Sequence, residues 1–75
     1  MLTRIEYSII KFAFDRILGG RPLFYGTDLY NYVKSECPDV APGTPCRIIR
    51  RLREENRIDY KVLNRNESLY QMRWV

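Results

Sequence analysis

The chain has 75 residues, 45% of them hydrophobic and 29% charged, with a formal net charge of +4 and no histidine. That composition is ordinary for one globular domain and excludes a disordered chain, while a domain this small buries only about 60% of its unfolded surface. No apolar run approaches the roughly 20 residues that span a bilayer. The start lacks a signal peptide's basic end and apolar centre, and the usual proton carrier at neutral pH is missing, so a cytoplasmic protein that is not an enzyme is expected.

The first element is a helix over about 3–18. Thr3-Arg-Ile-Glu6 has the spacing of a capping box, and Gly19-Gly20 followed by Pro22 supplies a stop. Its polar strip is narrow (Arg4, Ser8, Lys11, Asp15). Ile10, Ala13, Phe14 and Ile17 form one apolar face, which Ile5, Ile9 and Phe12 extend beyond what one core needs. A homodimer through Ile5, Ile9 and Phe12 is therefore expected, unless the hairpin and the chain's end cover the surplus.

Leu23-Phe24-Tyr25 is β-prone and fits a short third strand at 23–25. A second helix over about 27–37 follows, with Thr27 as its cap and Asp28 suited to its positive N-terminal end. Leu29, Val33 and Cys37 form its apolar stripe, flanked by Tyr30 and Tyr32, and Pro38 ends it. After a rigid connector at 38–43, Thr44-Pro45 opens a third helix over about 44–56, the hydroxyl as cap and the proline where no amide is needed. At 100° per residue, Ile48, Ile49 and Leu52 gather on one side. Arg47, Arg50, Arg51 and Glu54 gather on the other, so the arginines cannot turn inward without exposing isoleucines.

The last element is a β-hairpin over about 58–74. A three-residue loop, Asn64-Arg65-Asn66, places Asn66 in the left-handed position and sets Tyr60 opposite Tyr70 and Ile58 opposite Met72. Val62 and Trp74 share that face, and Trp74 is expected in the core, as are Tyr60 and Tyr70 rather than as base-stacking platforms. Residues 1–43 hold five basic against five acidic side chains and residues 44–75 eight against four, so the whole net charge belongs to the third helix and hairpin.

Arginine suits a polyphosphate partner because its fork grips guanine's two acceptors or a phosphate equally well. Arg47 and Arg51 lie one turn apart with Arg50 adjacent, and are expected at base edges, Arg50 at either base or phosphate. Thr44 is expected on a phosphate, and Lys61 and Arg65 on the backbone or in a minor groove, Arg65 from the hairpin tip. Arg53 and Arg57 lie nearer the apolar stripe, where local pairing with Glu54, Glu55 or Asp59 competes with nucleic acid.

The run Gly43-Thr44-Pro45-Cys46-Arg47 through Ile58-Asp59-Tyr60 resembles the passage of winged helix-turn-helix domains from recognition helix into first wing strand, and the order of elements resembles them over essentially the whole chain. The connector is longer than the simplest motif's turn, and Asn56 stands where glycine is easier. The resemblance implies an α+β fold of three helices plus a C-terminal β-hairpin wing. It also implies a small transcriptional regulator that binds double-stranded DNA with its third helix in the major groove. The alternative is a protein-interaction winged helix whose basic helix meets an acidic partner. No cofactor, metal or small-molecule ligand is expected. Cys37 and Cys46 lack ligand spacing and read as small, partly buried residues, although Cys46 beside Arg47 at a helix start leaves open an activated thiol.

Overall fold

A computed structural model describes residues 2–73. Three helices, α1 (Arg4–Leu18), α2 (Gly26–Glu36) and α3 (Thr44–Glu54), pack with three strands, β1 (Leu23–Tyr25), β2 (Asp59–Asn64) and β3 (Leu69–Arg73). The strands form one antiparallel sheet in the order β1-β3-β2. The short strand expected at 23–25 is thus an edge strand paired with the end of the chain. No helix among the described residues is long and apolar enough to cross a membrane.

The capping box at α1 is present: the Glu6 amide donates to Thr3 Oγ1 (3.1 Å) and the Thr3 amide to Glu6 Oε1 (2.9 Å). Two helices end in the same device. Gly20 at φ 71° and Asn56 at φ 60° are left-handed. Beyond them, the Arg21 amide reaches the Arg16 carbonyl and the Arg57 amide the Leu52 carbonyl, satisfying otherwise orphaned acceptors. The other two caps differ from expectation. α2 begins at Gly26 with Tyr25 as its cap position, where the Tyr25 amide donates to Asp28 Oδ2 (2.8 Å), so Thr27 is not the cap. The cap position of α3 is Gly43, and Thr44 is already helical with no side-chain cap bond.

The core joins Ile9, Phe12 and Ala13 of α1 to Leu29 and Val33 of α2, Ile49 and Leu52 of α3, and Phe24, Tyr60 and Met72 of the sheet. Phe24 is its aromatic hub, 5.2 Å from Phe12, 5.3 Å from Tyr70 and 6.4 Å from Tyr60 between ring centroids. The rotation of α1 corrects the sequence reading. Ile9 and Phe12, expected at a dimer face, are 0% and 2% exposed in the core, and Ile5 is half-buried against it. Tyr7 and Leu18 instead face outward, at 59% and 74%. The cause is polar. Glu6 and Ser8 turn inward because α3 and α2 supply partners, Arg51 to Glu6 and Glu36 to Ser8. Glu36 also accepts from Lys11 Nζ at 3.1 Å, and Tyr32 donates to Asp15, stitching α1 to α2.

The hairpin register also differs. Tyr60 pairs with Met72 and Val62 with Tyr70, two residues from the expected register, and a bulge separates Val62 from Asn64. The left-handed residue is Ser68 at φ 52°, not Asn66. Asn64 Oδ1 accepts the Glu67 amide, the Ser68 amide donates to Arg65, and the Gly26 amide donates to the Ser68 carbonyl at 2.9 Å. That last bond fixes the loop against α2, and a Cβ at Gly26 would meet Ser68 Cβ at 3.4 Å. A shift of two preserves the faces, so Tyr60, Val62, Tyr70 and Met72 still share one side. The expected place of Trp74 in the core lies outside the described residues.

Candidate nucleic-acid interface

Pro45, Ile49 and Leu52 anchor α3 in the core, which leaves Arg47, Arg50 and Arg51 exposed, as the helical period requires. Their surroundings differ. Arg47 and Arg50 have neither ion pair nor side-chain hydrogen bond among the described residues. Arg51 is held: its Nη2 donates to Glu6 Oε2 at 2.8 Å, and its Nε lies 3.9 Å from Glu55. The Glu6 carboxyl is held below the usual carboxylate range, first by the Thr3 amide, then by the Thr3 hydroxyl, with Arg51 contributing less. Arg51 therefore spans from α3 back to the start of α1, and sequence spacing alone does not separate it from Arg47.

Thr44 is half-buried and donates its amide to the Ala41 carbonyl at 3.1 Å. Since Pro45 has no N–H, the start of α3 offers fewer free amides to a phosphate than an ordinary helix start. Lys61 is exposed on β2, but alternation along the strand puts it on the face opposite Tyr60 and Val62, away from α3. Arg65 lies in the 65–68 loop and lines the same cleft as Arg50 and Arg53. The structure thus brings Arg50 and Arg65 together, keeps Arg47 near them on α3, ties Arg51 back, and separates Lys61.

Arg53 is held locally as expected, but by Tyr60 and not by Glu54, Glu55 or Asp59. Its guanidinium lies 4.6 Å from the centroid of the Tyr60 ring, and its Nη1 donates to the Tyr60 carbonyl at 3.3 Å. The signal was present: a helix that stops at a left-handed Asn56 and turns directly into a strand folds residue 60 back beside residue 53. Arg57 follows the expected local pairing, 3.2 Å from Glu55.

The cleft between α3 and the inner face of the hairpin has a volume of about 430 Å³. Phe24, Ile49 and Tyr60 line its buried part, and Arg50, Arg53 and Arg65 line it with cations. Cys46 also faces it. Burial pushes that thiol's pKa up, against the weaker opposing pull of Arg50, so Cys46 does not have the depressed pKa of an activated thiol. Burial likewise raises Tyr60, with Arg53 and then Arg50 opposing. A scan against protein-family models and searches of curated proteins and of solved structures each found no match.

Proposed function

We propose that the chain is a winged-helix domain that binds double-stranded DNA in a sequence-specific way, most simply as a small transcriptional regulator. The order α1-β1-α2-α3-β2-β3 with sheet order β1-β3-β2 supports the winged-helix reading. The observation that carries the DNA reading is the exposed side of α3, where Arg47 and Arg50 project without an acidic partner among the described residues, while Glu6 and Glu55 are taken by Arg51 and Arg57 and Glu36 by Lys11. In this reading α3 enters the major groove, which is about 12 Å wide and admits a helix. Arg47 and Arg50 address base edges or phosphates, Arg65 holds the backbone or minor groove from the loop, and Arg51 sets the tilt of α3 against α1.

The test is selection on a randomised duplex pool, followed by fluorescence anisotropy of the enriched duplex across a salt series. With Arg47 on a base edge and Arg50 and Arg65 on phosphates, two phosphate contacts predict a slope of log affinity against log salt of about −1.8. An enriched sequence whose preference is lost in Arg47→Ala supports direct readout. No enrichment, with equal weak binding to every duplex, refutes it and favours an acidic protein partner for the same arginines.

A further inference from the structure

The cleft behind Arg50 has a composition that duplex binding does not require. Its floor is aromatic and apolar: the Tyr60 and Tyr70 rings stand 5.4 Å apart at 80°, and the Tyr70 ring lies 5.3 Å from Phe24. Among the described residues its charged lining is entirely cationic, from Arg50, Arg53 and Arg65, with no carboxylate. A second cavity, of about 470 Å³ beside α1 and α2, sets Asp15 and Asp28 against Arg16 and Arg21 and is balanced within itself. Three guanidiniums facing one cleft without a counter-ion repel one another, and an anion placed there relieves that repulsion.

Arg53 is already oriented. Its stacking on Tyr60 and its bond to the Tyr60 carbonyl fix the guanidinium, so little side-chain freedom is lost on binding, and most of its five N–H donors stay free. A cleft of this volume lies in the range of about 300–1,000 Å³ typical of small-molecule sites. An apolar aromatic floor beneath a cationic rim matches a ligand that is itself aromatic at one end and anionic at the other.

We infer that this cleft binds a nucleotide unit, its base against the accessible parts of Val62 and Tyr70, above the buried Phe24 and Tyr60 rings, and its phosphate on Arg50, Arg53 and Arg65. This goes beyond the absence of a small-molecule ligand expected from sequence. A free mononucleotide and a nucleotide unstacked from a strand present the same chemistry. Occupancy by the free form competes with duplex DNA for Arg50 and Arg65, a consequence that rests on the DNA reading, whereas binding in the cleft does not.

The experiment is isothermal titration of the full chain with AMP, adenosine and inorganic phosphate, alongside amide chemical-shift mapping. AMP is expected to bind at least about tenfold tighter than either fragment, with the largest shifts at Cys46, Tyr60 and Tyr70. Arg53→Ala and Arg65→Ala should each weaken AMP by about tenfold or more, as loss of a hydrogen bond to a charged group predicts. Because Arg53 packs on Tyr60, the exposed Arg65 variant carries the test if Arg53→Ala unfolds. Arg21→Ala, which removes the same charge from the balanced cavity, should leave AMP within about twofold.

A duplex with one unpaired nucleotide, compared with its fully paired counterpart, separates the two sources. Preference for the unpaired form without AMP binding assigns the cleft to a strand nucleotide, and AMP binding without that preference assigns it to the free one. Equal affinities for AMP and phosphate with no preference for the unpaired duplex, or Arg65→Ala and Arg21→Ala behaving alike, overturns the inference. Affinity for the paired duplex, measured in the same variants, reports separately on the DNA reading.

Discussion

Arg47 and Arg51 are equivalent on a helical wheel, yet the structure predicts that their alanine variants behave differently. A bidentate arginine at a base edge is worth about 1–3 kcal/mol of discrimination, or roughly 5- to 150-fold in affinity. Arg47, exposed and without an ion-pair partner among the described residues, should lose an amount in that range on the enriched duplex and relax the preference at the base it reads, with the salt slope little changed. Arg51 is bonded at 2.8 Å to a Glu6 side chain that is only 12% exposed. Swinging Arg51 onto a base would leave Glu6 Oε2 without its partner, with only the Thr3 amide still on Oε1, so part of the free energy gained at the base is offset within the protein. Arg51→Ala should therefore change duplex affinity by less than about threefold, under 1 kcal/mol, while lowering the urea midpoint as α3 loses its tether to α1. Glu6→Gln removes the counter-charge and should raise duplex affinity. The assay is anisotropy of one duplex at fixed salt for the three variants, with urea unfolding in parallel. A loss of tenfold or more in Arg51→Ala, with unchanged stability and no gain in Glu6→Gln, would refute the tether and restore Arg51 to the reading surface.

Three further outcomes follow from the fold. Phe24→Ala removes a side chain that is 2% exposed and stacked among Phe12, Tyr60 and Tyr70. It should cost about 3–5 kcal/mol of a total near 4–11 kcal/mol for a chain this size, seen as a large fall in the urea midpoint by circular dichroism. Asn56 is left-handed at the end of α3, so Asn56→Ala should lose about 1 kcal/mol while Asn56→Gly is neutral or stabilising. Equal effects in the two variants would contradict the assigned turn. Acid should destabilise the fold through Glu6, lowered chiefly by the Thr3 amide, and Glu36, lowered chiefly by its bond from Lys11. A carboxylate whose folded pKa is depressed contributes in full above its unfolded value, about 4.3, and that contribution is lost as pH falls through the folded pKa. The urea midpoint should therefore hold from neutral pH to about 5 and decline below about 4, with a shallower decline in Glu6→Gln/Glu36→Gln. An unchanged slope in that double variant would show that other carboxylates govern the acid limb.

What the sequence exposed was local, and what it concealed was held by partners far along the chain. The stop of α1 at Gly19-Gly20, the stripe of Leu29 and Val33, and the division of α3 into buried isoleucine and outward arginine each follow from a few neighbouring residues and the helical period. The faces of the hairpin were legible for the same reason, because a two-residue error in register leaves every side chain on its own side. The register itself was not legible. Which loop residue turns left-handed is settled where the Gly26 amide meets the Ser68 carbonyl, and nothing in the residues between the strands announces that bond. The orientation of α1 escaped for a related reason. Ser8 reads as part of a solvent-facing strip with Arg4, Lys11 and Asp15, and Glu6 as a capping residue only. Only Arg51 and Glu36, arriving from two other helices, make it favourable to bury them, and their burial turns Ile9 and Phe12 into the core and Tyr7 outward. The same bond that accompanies the burial of Glu6 ties Arg51, still exposed on α3, to a carboxylate. One polar contact thus decides both which apolar residues are left for a partner and which arginines are left for a polyanion.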